Sequence, residues 1–153
     1  MNIINNKYIN IVFKNDNYSE ILKKESDELG YEYIYIDGNK CMTIDDLFTE
    51  FSVKFKFPDY FGYNWPAFDE CINDLNWLPA CGYIVLIGNG SKILSNNKQD
   101  FETFIKVLVN AVSEWVNGRN FDSFPTSPTP FYLFMECSKE SEFMLKELLS
   151  NRV

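Results

Sequence analysis

Two short runs constrain the fold most: Tyr83-Ile84-Val85-Leu86-Ile87 and Phe131-Tyr132-Leu133-Phe134-Met135. Each is apolar at nearly every position instead of every second one. That is the pattern of a strand covered on both faces. Between them, Phe101, Phe104, Ile105, Leu108, Val112 and Trp115 keep helical spacing, and Gly118 is a good stop. A helix of that length between two buried strands is the crossover that parallel pairing requires.

The rest of the chain repeats the alternation. Tyr8 to Phe13 has the β-branched and aromatic content of a strand. Tyr18 to Leu29 reads as a helix with Ile21, Leu22, Glu25 and Leu29 on one stripe, stopped by Gly30. Tyr31 to Ile36 is a strand closed by the Asp37-Gly38 turn. Thr43 caps the next helix, with Asp46 three residues on, and Ile44, Leu47, Phe48, Phe51 and Phe55 form its apolar face. Asn97 or Asp100 starts the long helix. Residues 120–130 hold three prolines and form a surface loop. Ser138 or Ser141 caps a last helix running to about Asn151. The expectation is an α/β fold, a mainly parallel small sheet flanked by helices. Residues 1–153 form one domain, with residues 1–30 an added strand–helix unit packed on it.

One stretch stands apart, Phe57 to Leu75. It is crowded with aromatic rings and carries four carboxylates, Asp59, Asp69, Glu70 and Asp74. After Lys56 the next basic residue is Lys92. Aromatic anchors beside unneutralised acid suit a surface that meets a basic partner. Pro58 and Gly62 make Phe57 to Tyr63 a loop. Asn64 is a good N-cap, and Pro66 is tolerated in the first turn, where its missing N–H is not needed. Phe68, Cys71, Ile72 and Leu75 then make one apolar helix face. Pro66, Asp69, Glu70, Asn73 and Asp74 fall on the opposite one. Phe57, Phe61, Trp65 and Phe68 read as core or loop anchors, whereas Tyr60 and Tyr63 suit an interface.

Several function classes are disfavoured. The net charge of −8 argues against nucleic-acid binding and against an anionic membrane surface. There is no histidine, so the commonest general base and metal ligand is missing. Cys41, Cys71, Cys81 and Cys137 have no metal-site spacing and read as reduced thiols. No cofactor is expected. Asp69 and Glu70 are an unconvincing acid–base pair, because helix neighbours point about 100° apart. Gly88-Asn89-Gly90 after a strand lacks the rest of a nucleotide fingerprint. Met1 to Asn6 lacks the order of a signal peptide, and no run is long enough for a membrane span, so a cytoplasmic protein is expected.

The run Pro58-Asp59-Tyr60-Phe61-Gly62-x-Asn64-Trp65-x-Ala67-Phe68-Asp69-Glu70-Cys71 resembles the signature of the barstar family, small cytoplasmic inhibitors of secreted ribonucleases. The resemblance is dense over about twenty residues and looser from Tyr33 to Cys137. It implies a protein that is not an enzyme. It implies a 1:1 complex with a basic ribonuclease or other secreted toxin, whose active site the acidic helix and aromatic loop would occlude. The implied partner-binding residues are Asp59, Tyr60, Phe61, Gly62, Tyr63, Asn64, Trp65, Asp69, Glu70, Asn73 and Asp74. Glu70 matches the family's acid before the cysteine, Tyr60 its loop tyrosine, and Gly62 and Asn64 its glycine and asparagine. Two positions depart: Pro66 stands where the family has an acid, and Asp69 where it has a tryptophan. A later helix acid falls near Asn110. An alternative is an immunity or binding module on the same fold whose target is not a ribonuclease, and a remoter one is a small enzyme using its carboxylates.

Overall fold

The computed structural model describes residues 7–14, 17–120 and 125–150. The readings of Met1 to Asn6, of the middle of the 120–130 loop and of the last helix beyond residue 150 lie outside them. In chain order the elements are β1 (Ile9–Phe13), α1 (Tyr18–Leu29), β2 (Glu32–Asp37), α2 (Ile44–Lys54), α3 (Trp65–Asp74), β3 (Tyr83–Gly88), α4 (Lys98–Asn117), β4 (Phe131–Cys137) and α5 (Lys139–Ser150). The strands form one sheet in the order β1-β4-β3-β2, and every pairing is parallel. Leu133 of β4 faces Ile9 on one side and Val85 on the other. The N-terminal unit therefore does not extend the sheet beside β2, its neighbour in sequence. It adds an edge strand beyond β4.

All of β3 is buried, as its continuous apolar run requires. Tyr83, Val85 and Ile87 enter the larger core with Phe48 and Phe51 of α2, Phe68 and Ile72 of α3, Phe104 of α4 and Leu145 of α5. Ile84 and Leu86 enter a smaller cluster with Leu22 of α1. Four helices thus cover one face and one helix covers the other. The single-helix face is finished by half-buried tyrosines: Tyr8, Tyr18, Tyr31, Tyr33 and Tyr35. Their phenols accept burial of the ring while keeping the hydroxyl near water.

Local chemistry sets the boundaries. Gly30 ends α1 with a φ of 71° in the left-handed region. Thr43 accepts from Asp46 N at the start of α2, and Asn97 from Asp100 N at the start of α4. β2 runs one residue further than expected, because Asp37 still pairs with Gly88; its side chain then accepts from Asn39 N and caps a tight 3-10 turn over Gly38–Lys40. A Cβ on Gly38 would lie 2.2 Å from the Asn89 carbonyl oxygen, so only glycine lets this turn pass the end of β3.

Candidate protein-binding surface

The loop between α2 and α3 is built on its own aromatic rings. Phe57 and Phe61 are buried, with ring centroids 4.9 Å apart, and Phe61 meets Phe48 edge-on at 5.8 Å. Trp65, half-buried, stands edge-on against Phe48 at 5.0 Å and against Phe68 at 5.8 Å. Each such pair adds about 0.5–1.5 kcal/mol beyond its burial. Phe61 and Trp65 were named as partner-binding residues by resemblance. The structure places the Phe61 ring inside and Trp65 against the core, so both serve first as anchors.

Two tyrosines stay outside. Tyr60 is 65% exposed and Tyr63 is 52% exposed. Tyr63 leans on Phe61 at 4.7 Å and takes a φ of 52°, a left-handed conformation unusual for a bulky residue. Lys56 before the loop and Leu75 after α3 are also left-handed, with φ of 55° and 49°. Partial desolvation first, then the charges of Asp74, Cys71 and Glu70, raises the pKa of Tyr60 above its ordinary 10.0.

Asn64 joins loop to helix. Its Oδ1 accepts from Ala67 N at 2.8 Å, and its Nδ2 donates to the Gly62 carbonyl at 3.2 Å. The first bond caps α3 as expected. The second holds Gly62 and brackets the strained Tyr63. Gly62 and Asn64 are exposed, but they shape the surface through these bonds.

Asp59, Asp69 and Glu70 are exposed and Asp74 is half-exposed. Among the described residues none of the four is in an ion pair. Glu70 and Asp74 stand at i and i+4, a spacing at which like charges destabilise a helix. Asn73 departs from expectation. Its place on the helical wheel sets it among the acids on the solvent face, yet it is only 6% exposed. Its amide folds back along the helix, donating to the Asp69 carbonyl at 2.8 Å and to Asp69 Oδ1 at 3.1 Å. It lies beneath the acidic face and not on it. The sequence signal was an asparagine four residues after an acid, a spacing at which two side chains meet.

Burial first, then Glu70 and Asp74, pushes the Cys71 thiol up to about 11, so it is a poor nucleophile. Among the described residues no group of three His, Cys, Asp or Glu is placed to hold a metal. A cavity of about 240 Å³ lies against Ile93, Leu94, Phe101 and Leu145, and none of its lining belongs to this loop or to α3. Among the described residues no helix is long and apolar enough to cross a membrane.

The fold and this surface define a parallel α/β protein that presents an uncompensated acidic helix beside exposed tyrosines. The chain belongs to the Barstar (barnase inhibitor) family, whose model matches residues 31–135. The match begins at β2, so β1 and α1 fall outside it. No curated protein matches the chain. Among solved structures it is similar to the Walker-type ATPase PABY2304 of Pyrococcus abyssi, with a TM-score of 0.49 and 14% identity, over 95% of this chain and 44% of that one. The chain thus spans less than half of that protein's length, and a likeness at this level says nothing of function.

Proposed function

We propose that this chain is a barstar-type inhibitor of a basic ribonuclease. It would act as a cytoplasmic immunity protein and have no catalytic activity of its own. Residues 1–153 would act as one domain, with residues 1–30 an extension on the sheet edge. The complex is 1:1. Asp59, Tyr60, Gly62, Tyr63, Asp69, Glu70 and Asp74 face the partner, with Phe61, Asn64, Trp65 and Asn73 holding them in place. Ribonucleases grip the phosphodiester with cationic side chains. Carboxylates on a rigid helix compete for those cations through charge-assisted hydrogen bonds. The observation that carries the reading is the set of four carboxylates without ion pairs among the described residues, beside two exposed tyrosines. In a chain of charge −8, such a surface speeds encounter with a basic protein.

A second reading has a specific motive. Pro66 is exposed where the family carries an acid, and Asp69 replaces a tryptophan. Both changes favour a target other than barnase itself, up to a toxin that is not a ribonuclease. Stopped-flow association with a panel of basic ribonucleases, barnase included, tests the proposal. The expected result is fast binding to at least one of them, slowed by added salt, since exposed charges are screened beyond about 8 Å at physiological ionic strength. A rate unchanged by salt contradicts the electrostatic part. No binding to any ribonuclease favours the second reading.

A further inference from the structure

Asparagine is poorly suited to a helix interior, because its side chain competes for backbone hydrogen bonds. Asn73 nevertheless sits inside α3 and is buried. Its Oδ1 is buried as well and has no hydrogen-bond partner among the described residues. An unpaired buried acceptor destabilises a fold. Alanine at this position would favour the helix and leave no orphan atom. Folding alone therefore gives no reason for asparagine here. What Asn73 does is hold Asp69, through the bonds at 2.8 Å and 3.1 Å.

The other acids of the surface are held differently. Asp74 accepts from Asn76 N at 3.3 Å within its own turn. Asp59 and Glu70 make no side-chain hydrogen bond among the described contacts. Asp69 alone is fixed by a buried side chain, while its carboxylate remains exposed. A carboxylate already set in one rotamer loses less freedom when a cation docks on it.

We infer that Asp69, held by Asn73, is a pre-positioned acidic contact that selects this chain's partner, which presents a cationic side chain to it. Asn73 is a positioning residue that acts through Asp69. This rests on the proposed function and deepens it: the resemblance makes Glu70 the main acid and has a tryptophan where Asp69 stands, and the fixing of Asp69 by Asn73 is what the structure adds. Together with the loss of an acid at Pro66, it moves the fixed negative charge from the start of α3 toward its middle.

The test has two arms. In the free protein, three-bond Hα–Hβ couplings of Asp69 should report one χ1 rotamer, and averaging in Asn73→Ala. Thermal melts should show Asn73→Ala no less stable than the unmodified chain. Against the ribonuclease of the panel that binds, Asp69→Ala should weaken affinity about tenfold and Asn73→Ala about threefold. In an Asp69→Ala background, Asn73→Ala should add almost nothing, because its effect runs through the carboxylate. Averaged Asp69 couplings in the unmodified chain overturn the inference. So does an Asn73→Ala effect undiminished without Asp69, or a melting loss with affinity unchanged, which would make Asn73 merely structural. If the unmodified chain binds no ribonuclease, the functional reading fails, and the couplings alone then decide whether Asn73 holds Asp69.

Discussion

Removing the Asn64 side chain separates two roles that the structure gives to one residue. In Asn64→Ala, α3 loses its N-cap, the 2.8 Å bond to Ala67 N. Capping substitutions of this kind cost about 1 kcal/mol. The loop also loses the 3.2 Å bond to the Gly62 carbonyl, an exposed neutral bond at the low end of the usual range, about 0.5 kcal/mol. The sum is about 1.5 kcal/mol, which for a chain of this size lowers Tm by about 3–6 °C. Asn64→Asp is the control. Its carboxylate keeps the cap and suits the positive end of the helix dipole, but it cannot donate to Gly62. Calorimetric melts should therefore place Asn64→Asp close to the unmodified chain and Asn64→Ala well below it. Affinity should separate differently. Both variants free Gly62 and the left-handed Tyr63, so both should bind the partner more weakly. An Asn64→Ala melt within about 1 °C of the unmodified chain would refute the capping argument. Asn64→Asp binding with full affinity would refute the loop argument.

Glu70 and the cysteines carry the remaining expectations. Glu70 is exposed and makes no ion pair among the described residues, and its neighbour Asp74 repels it, so Glu70→Ala should shift stability by no more than about 0.5 kcal/mol. If Glu70 enters a basic pocket, the same change should cost about 2–5 kcal/mol in affinity, a range that draws on the barnase–barstar pair. Titration calorimetry beside thermal melts measures both. The cysteines predict an alkaline limb. Burial first, and nearby acids after it, pushes Cys71 up to about 11 and Cys41 up to about 12 from an ordinary 9.0. A folded pKa above the unfolded one favours the protonated form in the folded state. Its contribution is therefore fully present below pH 9.0 and is lost as pH rises toward about 12. Urea unfolding should give a free energy that begins to fall above pH 9.0. At neutral pH, a thiol reagent should label the exposed Cys81 in the folded chain and all four cysteines in denaturant. Fast labelling of Cys41 or Cys71 in the folded chain would contradict their burial.

Much of the fold was legible because its signals are local. The stripe from Ile21 to Leu29 with Gly30 behind it bounds α1 to the residue, and Thr43, Asn64 and Asn97 mark three helix starts by side-chain chemistry alone. Sheet order was less legible. Nothing near Tyr8 to Phe13 says that this strand pairs beyond β4. That pairing joins residues far apart in the chain, Ile9 with Leu133, so no local signal encodes it. The loop and its acids were recognisable by residue type, but their arrangement was not. The helical wheel places Asn73 outward, and tertiary packing buries it. The left-handed Lys56, Tyr63 and Leu75 carry no glycine to announce them.

The central claim is that the α3 acids and the loop tyrosines block a ribonuclease. Its most direct test is RNA cleavage by purified basic ribonucleases, barnase included, titrated with the unmodified chain and with a variant combining Asp69→Ala and Glu70→Ala. At least one ribonuclease should lose activity linearly to an end point at one equivalent of the unmodified chain. The double variant, with an unchanged melting temperature, should need a large excess to do the same. Full ribonuclease activity in the presence of excess unmodified chain, across the whole panel, or equal inhibition by the double variant, would contradict it.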